Sequence, residues 1–126
     1  MKKSTLRKIL AAEGLTKVSL DRTLRYDVGV FDSYRGSPSN RPKQVVASRL
    51  SASQVKAWGR KAWKAWRDQD LGAFVRMGVD TGRARNWEDF ADNGTMFIAF
   101  PTGDASRLDD VPFWSWTGPG WNQRSS

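Results

Sequence analysis

Lys56, Arg60, Lys61, Lys64 and Arg67 crowd into one stretch, SASQVKAWGRKAWKAWRDQDL, where they interleave with Trp58, Trp63 and Trp66. Cations repeating every three or four residues can neutralise a row of phosphates, and an indole beside them can stack on a base or a ribose. On a helical wheel of about 100° per residue, Val55, Trp58, Gly59, Ala62, Ala65 and Trp66 share one arc. The five cations take the other, and Trp63 falls on the border. The chemistry this pattern offers is polyanion binding. Each neutralised phosphate adds about 0.9 to the salt slope of duplex binding, and each stacked base is worth about 1 to 3 kcal/mol. Two plainer uses fit the same arcs, namely a solvated basic face and docking on anionic lipid headgroups. Lipid docking requires a deeper exposed apolar face than Val55, Trp58 and Trp66 supply if they also close a core. Nucleic acid is therefore the expected partner, with Lys56, Arg60, Lys61, Trp63, Lys64 and Arg67 as its contacts, joined by Arg83 and Arg85 on a later loop. Lys2, Lys3, Arg7, Lys8 and Arg76 could extend the patch.

Catalytic chemistry has a narrower footing. The chain contains no histidine and no cysteine. Histidine general bases, thiol nucleophiles, disulfides and the usual zinc and haem ligands are thereby excluded. Glu88, Asp89 and Asp92, with Asp104, Asp109 and Asp110, could hold Mg²⁺ only if the fold brought them together. DFADNG at 89 to 94 fails as a calcium loop, because Ala91 stands at the third ligand position and Phe100 where a bidentate glutamate is needed. Neither GxxxxGK[ST] nor GxGxxG occurs, so no phosphate-cradling loop is visible. A histidine-free nuclease would have to rely on Tyr26, Tyr34, Arg35 and Lys43 to stabilise phosphate charge. The expected sets of catalytic residues, metal ligands and cofactors are empty.

Composition points the same way as the basic stretch. Lysine and arginine number 21 against 13 acids, a formal charge of +8, in a chain of 126 residues with seven tryptophans. A domain with this excess attracts polyanions and is salt-sensitive, and the phosphates it would address are common to DNA and RNA. The length suits a single domain, 1–126. Arg7, Lys8 and Glu13 interrupt what would be the apolar core of a secretory leader, and no run approaches the about 20 apolar residues of a membrane span. A cytoplasmic protein is expected. A second class of function is a non-enzymatic interaction or assembly protein, such as a small virus-encoded host-modulating protein or a particle component. Trp114, Trp116 and Trp121 would then be exposed anchors for a protein partner.

The elements that must position these groups follow from periodicity. Ser4, with Leu6, Ile9 and Leu10 before Gly14, predicts a helix over 5–13. Val18, Leu20, Leu24, Tyr26, Val28 and Val30 on even positions predict one long strand or two short ones with a buried face. Residues 32–43 read as a loop and 44–50 as a short helix. Ser51 or Ser53 caps the long basic helix, AFVRMGV is a short helix or strand, and NWEDF is a helical turn. Asn93-Gly94 then turns the chain into a strand at 95–100, which pairs antiparallel with one at 111–116. Trp58, Ala62, Trp66, Phe97, Phe100 and Phe113 are expected in the core. LRKILAAEGLTKVSLDRTL resembles a helix-turn-helix, with Gly14 at the turn and Leu20 on the second helix. The expected architecture is α+β, with helices in the first two thirds and a small antiparallel sheet toward the C-terminus. It comprises a helical and mixed segment over 1–82, a β-rich segment over 87–117 and a flexible tail over 118–126.

Overall fold

A computed structural model describes residues 20–32, 42–104 and 113–124. These form an α+β domain in which one antiparallel sheet carries three helices on one face. Strands β1 (Tyr26–Asp32), β2 (Gln44–Leu50), β3 (Thr95–Pro101), β4 (Phe113–Trp116) and β5 (Trp121–Arg124) run in the order β2-β1-β3-β4-β5. The helices are α1 (Ala52–Arg67), α2 (Leu71–Arg76) and α3 (Trp87–Asp92). Helices and sheet are interleaved along the chain, so the sheet does not belong to the C-terminal third alone. Its central strand is β3, with which β1 is paired along its whole length from Tyr26↔Pro101 to Asp32↔Thr95.

Alternation explains β1. Tyr26, Val28 and Val30 face the helices and are fully buried, while Phe31 joins Ile98, Phe100 and the half-buried Phe113 in a second apolar cluster on the opposite face. The alternation does not extend upstream as a strand. Asp21 to Leu24 form a turn and Leu24 is exposed, so the second helix of a helix-turn-helix does not run through these residues. Residues 1–19, with the helix expected at 5–13, lie outside the described residues, as do 33–41 of the expected loop.

Residues 44–50 are a strand, β2, and not the helix expected from sequence. A stretch this short cannot sustain an isolated helix, whereas Val45 and Val46 suit a pleat and β1 offers a free edge. The pairing slips where Arg49 adopts a left-handed φ of 56°. The buried Asp27 carboxylate secures that bulge, accepting from the Arg49 N–H at 3.1 Å and the Thr102 hydroxyl at 2.8 Å. Gln44 pins the loop after α2 by donating to the Gly78 carbonyl at 2.6 Å and accepting from the Asp80 N–H at 2.7 Å.

The C-terminal segment also departs from expectation. Trp121–Arg124 is the fifth strand, paired antiparallel with β4, and not part of a flexible tail. Its polar residues suit an edge strand, and its one large apolar side chain, Trp121, is buried against α1. Ala62, Phe97 and Phe100 are core as expected, but Trp58, Trp66 and Phe113 are only partly buried.

Candidate functional site

The site grows out of α1. Ser51 caps it with a reciprocal box, its hydroxyl accepting from the Gln54 N–H while the Gln54 side chain accepts from the Ser51 N–H. Lys64 and Arg67 in the last turn complement the negative end of the helix dipole. Ala52, Val55, Gly59, Ala62 and Ala65 are buried against the sheet, so the arc read from the sequence is the packed one.

Two indoles lock that packing. Trp121 Nε1 donates to the Val55 carbonyl at 3.0 Å, and Trp116 Nε1 donates to the Gly59 carbonyl at 3.1 Å, one helical turn further on. The β4–β5 hairpin can come this close because position 59 is glycine. A Cβ there would stand 2.5 Å from Trp121 Nε1.

Lys56, Arg60, Lys61, Lys64 and Arg67 all reach solvent on the opposite face. Lys56, Arg60, Lys64 and Arg67 succeed one another at four, four and three residues and form a single ridge, with neighbours about 6 Å apart. Lys61 stands at the far border of the face. Among the described residues, Lys56, Arg60, Lys61 and Lys64 have no ion-pair partner. Arg67 has an exposed one, Asp68, at 3.7 Å, an arrangement worth little in water. Arg83 and Arg85 are exposed on a separate segment ahead of α3, where the Arg85 N–H is held by Asp89. No hydrogen bond or ion pair among the described residues joins these two to the ridge.

Trp63 sits at the border, half-buried, as expected. Its ring lies over Gly118 in the β4–β5 turn, close enough that a Cβ on Gly118 would be 2.9 Å from the ring. Gly118 also has φ +88°, so it is glycine for two reasons. Beside this contact opens a groove of about 310 Å³ lined by Trp63, Trp66, Thr95, Met96, Trp116, Thr117 and Gly118. Trp66 is braced edge-on by Trp87 and Trp116, at centroid distances of 5.0 and 6.3 Å. The groove is not legible in the sequence, which places Trp66 in the core and a flexible tail from Gly118 onward. No protein-family model matches the chain, and comparison with curated proteins and with solved structures gives no match.

Several expected surfaces are not surfaces. Trp114 and Trp121 are buried, and Trp116 is half-buried with its N–H engaged, so these three do not form an exposed set of protein-binding anchors. Tyr26 has no solvent exposure, which removes it from any phosphate-handling set, and Tyr34 and Arg35 lie outside the described residues. Among the described residues, no three carboxylates converge to hold a metal ion, and no helix is long and apolar enough to cross a membrane.

Proposed function

We propose that the protein binds nucleic acid in the cytoplasm, with Lys56, Arg60, Lys64 and Arg67 on phosphates, Lys61 adding charge at the edge and Trp63 stacking at the border. The observation that carries this reading is a ridge of cations, largely free of ion pairs with the described residues, on a helix whose roll is fixed by two indole-to-carbonyl bonds. Unpaired cations on a rigid face bind phosphates without first breaking an internal pair or ordering a loop. Arg83 and Arg85 are a secondary patch for the same polymer.

Magnitude sets the test. Four phosphate contacts give a duplex salt slope of about 3.6, so affinity should fall about 150-fold between 50 and 200 mM salt. The double variant R60E/K64E should weaken binding uniformly across sequences and lower the slope by about 1.8, because phosphate contacts carry little base information. Fluorescence anisotropy with single-stranded and duplex oligonucleotides at two salt concentrations measures both quantities. Failure of both polymers to bind more tightly than about 10⁻⁴ M at physiological salt, the weak limit of ordinary non-specific association, would sink the proposal.

A further inference from the structure

The groove beside Trp63 is an open, mainly apolar recess, walled in part by the helix that carries the cationic ridge. Trp63, Trp66 and Trp116 form its aromatic walls, Met96 contributes a polarizable thioether, and Thr95 and Thr117 stand at its polar edge. Its volume of about 310 Å³ is at the bottom of the usual range for small-ligand sites, about 300 to 1,000 Å³. That space suits one planar ring system better than an extended ligand. On α1, Arg60 and Arg67 are the i−3 and i+4 neighbours of Trp63, so one exposed arginine lies about a turn before the indole and another about a turn after it along the helix. An aromatic slot flanked by two cations is complementary to a flat ring carried on an anionic backbone.

We infer that this groove takes one unpaired nucleobase while Arg60 and Arg67 hold the phosphates on either side of it. The inference rests on the proposed phosphate binding by α1 and narrows its target to single-stranded or locally unpaired nucleic acid. A paired base has both faces covered by its stack and cannot enter, whereas an unstacked base exposes a face of about the size the indoles offer. Thr117 adds a means of choosing among bases. Its hydroxyl oxygen accepts from the Asn122 side chain, which leaves the hydroxyl proton to be donated to a ring carbonyl of the base. Met96, 40% exposed at the start of β3, lets the wall adapt to rings of different size. A proline-rich peptide would also suit an aromatic groove, but it has no use for the paired arginines.

The experiment compares two strands of equal length and charge. Fluorescein-labelled oligothymidine of about twelve nucleotides, a length within the usual span of small single-strand-binding domains, is titrated against the same backbone carrying abasic sites throughout. Free thymidine monophosphate, the matched duplex and an unlabelled proline-rich peptide serve as further ligands. The wild-type protein should bind oligothymidine about 5- to 150-fold more tightly than the abasic strand, the ratio that one stacked base provides. Trp63→Ala should erase that ratio, while R60E/K64E should weaken both strands and keep the ratio. Displacement of oligothymidine by millimolar thymidine monophosphate, with quenching of tryptophan emission, would support the same assignment. Equal affinity of the wild type for the two strands overturns the groove assignment and leaves phosphate binding by α1 standing. Peptide binding that survives R60E/K64E but not Trp63→Ala, without any preference for bases, overturns it in favour of a peptide groove. No binding to either strand removes both the inference and the function beneath it.

Discussion

Replacing Gly59 with alanine sets two well-measured effects against each other. In the interior of a helix, alanine is worth about 1 kcal/mol more than glycine, so propensity alone makes the variant more stable. The packing opposes it. The added methyl would lie 2.5 Å from Trp121 Nε1 and 3.3 Å from two ring carbons, and the hairpin must move. Overpacking of this kind costs about 1 to 3 kcal/mol. Moving Trp121 also strains or breaks its bond to the Val55 carbonyl, and a buried donor left without a partner costs about 1 to 3 kcal/mol more. After subtracting the propensity gain, Gly59→Ala should lose about 1 to 5 kcal/mol, or roughly 10 °C in Tm at the middle of that range for a chain of this size. Gly72→Ala is the control. Its methyl would meet only the ends of the Arg76 and Asp70 side chains, at 3.2 and 3.4 Å, and a gain of about 0.5 kcal/mol is expected. Thermal and urea unfolding, followed by tryptophan emission, would measure both. If Gly59→Ala is as stabilising as Gly72→Ala, the close seating of Trp121 on α1 is wrong.

Three further outcomes test the frame around the site. Asp27→Ala should cost about 2 to 3 kcal/mol in urea unfolding, because a carboxylate accepting two hydrogen bonds is lost; Asp27→Asn, which keeps one acceptor oxygen, should lose less, and amide exchange at Arg49 should accelerate most in the alanine variant. Burial raises the pKa of the Tyr26 phenol above its ordinary value, although the nearby Asp21 backbone N–H favours the ionised form. The folded state therefore holds its proton longer than the unfolded chain, so the contribution is complete below about pH 10 and is lost as pH rises through the folded pKa. A fall in the urea midpoint above pH 10 that persists in Tyr26→Phe would refute this. Ser51→Ala should remove about 1 kcal/mol by breaking the capping box, and unchanged stability in that variant would mean the cap is not holding α1.

What could be read from sequence was whatever is local. The arcs of α1 and its Ser51 cap depend on residues within a few positions of one another, as do the NWEDF turn and the Asn93-Gly94 corner ahead of β3, and all were legible. The pairing of β1 with β3 is set by partners such as Val28 and Ala99, which no local pattern links. For β2, Val45 and Val46 carried a strand signal, but the short stretch leading into α1 read more easily as helix. The tail went wrong for a related reason. Its composition argues for disorder unless the glycine at position 59 is recognised as a seat for Trp121. The groove was illegible because it requires Trp63 and Trp66 to meet Thr117 and Gly118, and only the fold brings those residues together.

The hairpin that escaped the sequence reading is also what gives the charged ridge a defined geometry. A helix resting on a sheet through Ala52, Val55, Ala62 and Ala65 alone presents small, nearly interchangeable side chains, and could roll with little change in buried area. The indoles of Trp116 and Trp121 remove that freedom, since each donates to a carbonyl of α1 that already serves its own helix, and the two acceptors are one turn apart. Two fixed points along an axis determine both roll and translation, so the direction in which Arg60 and Lys64 project is set by residues more than fifty positions away. Trp116 has a second duty, because its ring is a wall of the groove while its N–H holds Gly59. The cationic ridge and the aromatic recess are thus one unit, in which the spacing between cations and indoles is part of the fold and need not be assembled if a ligand binds there.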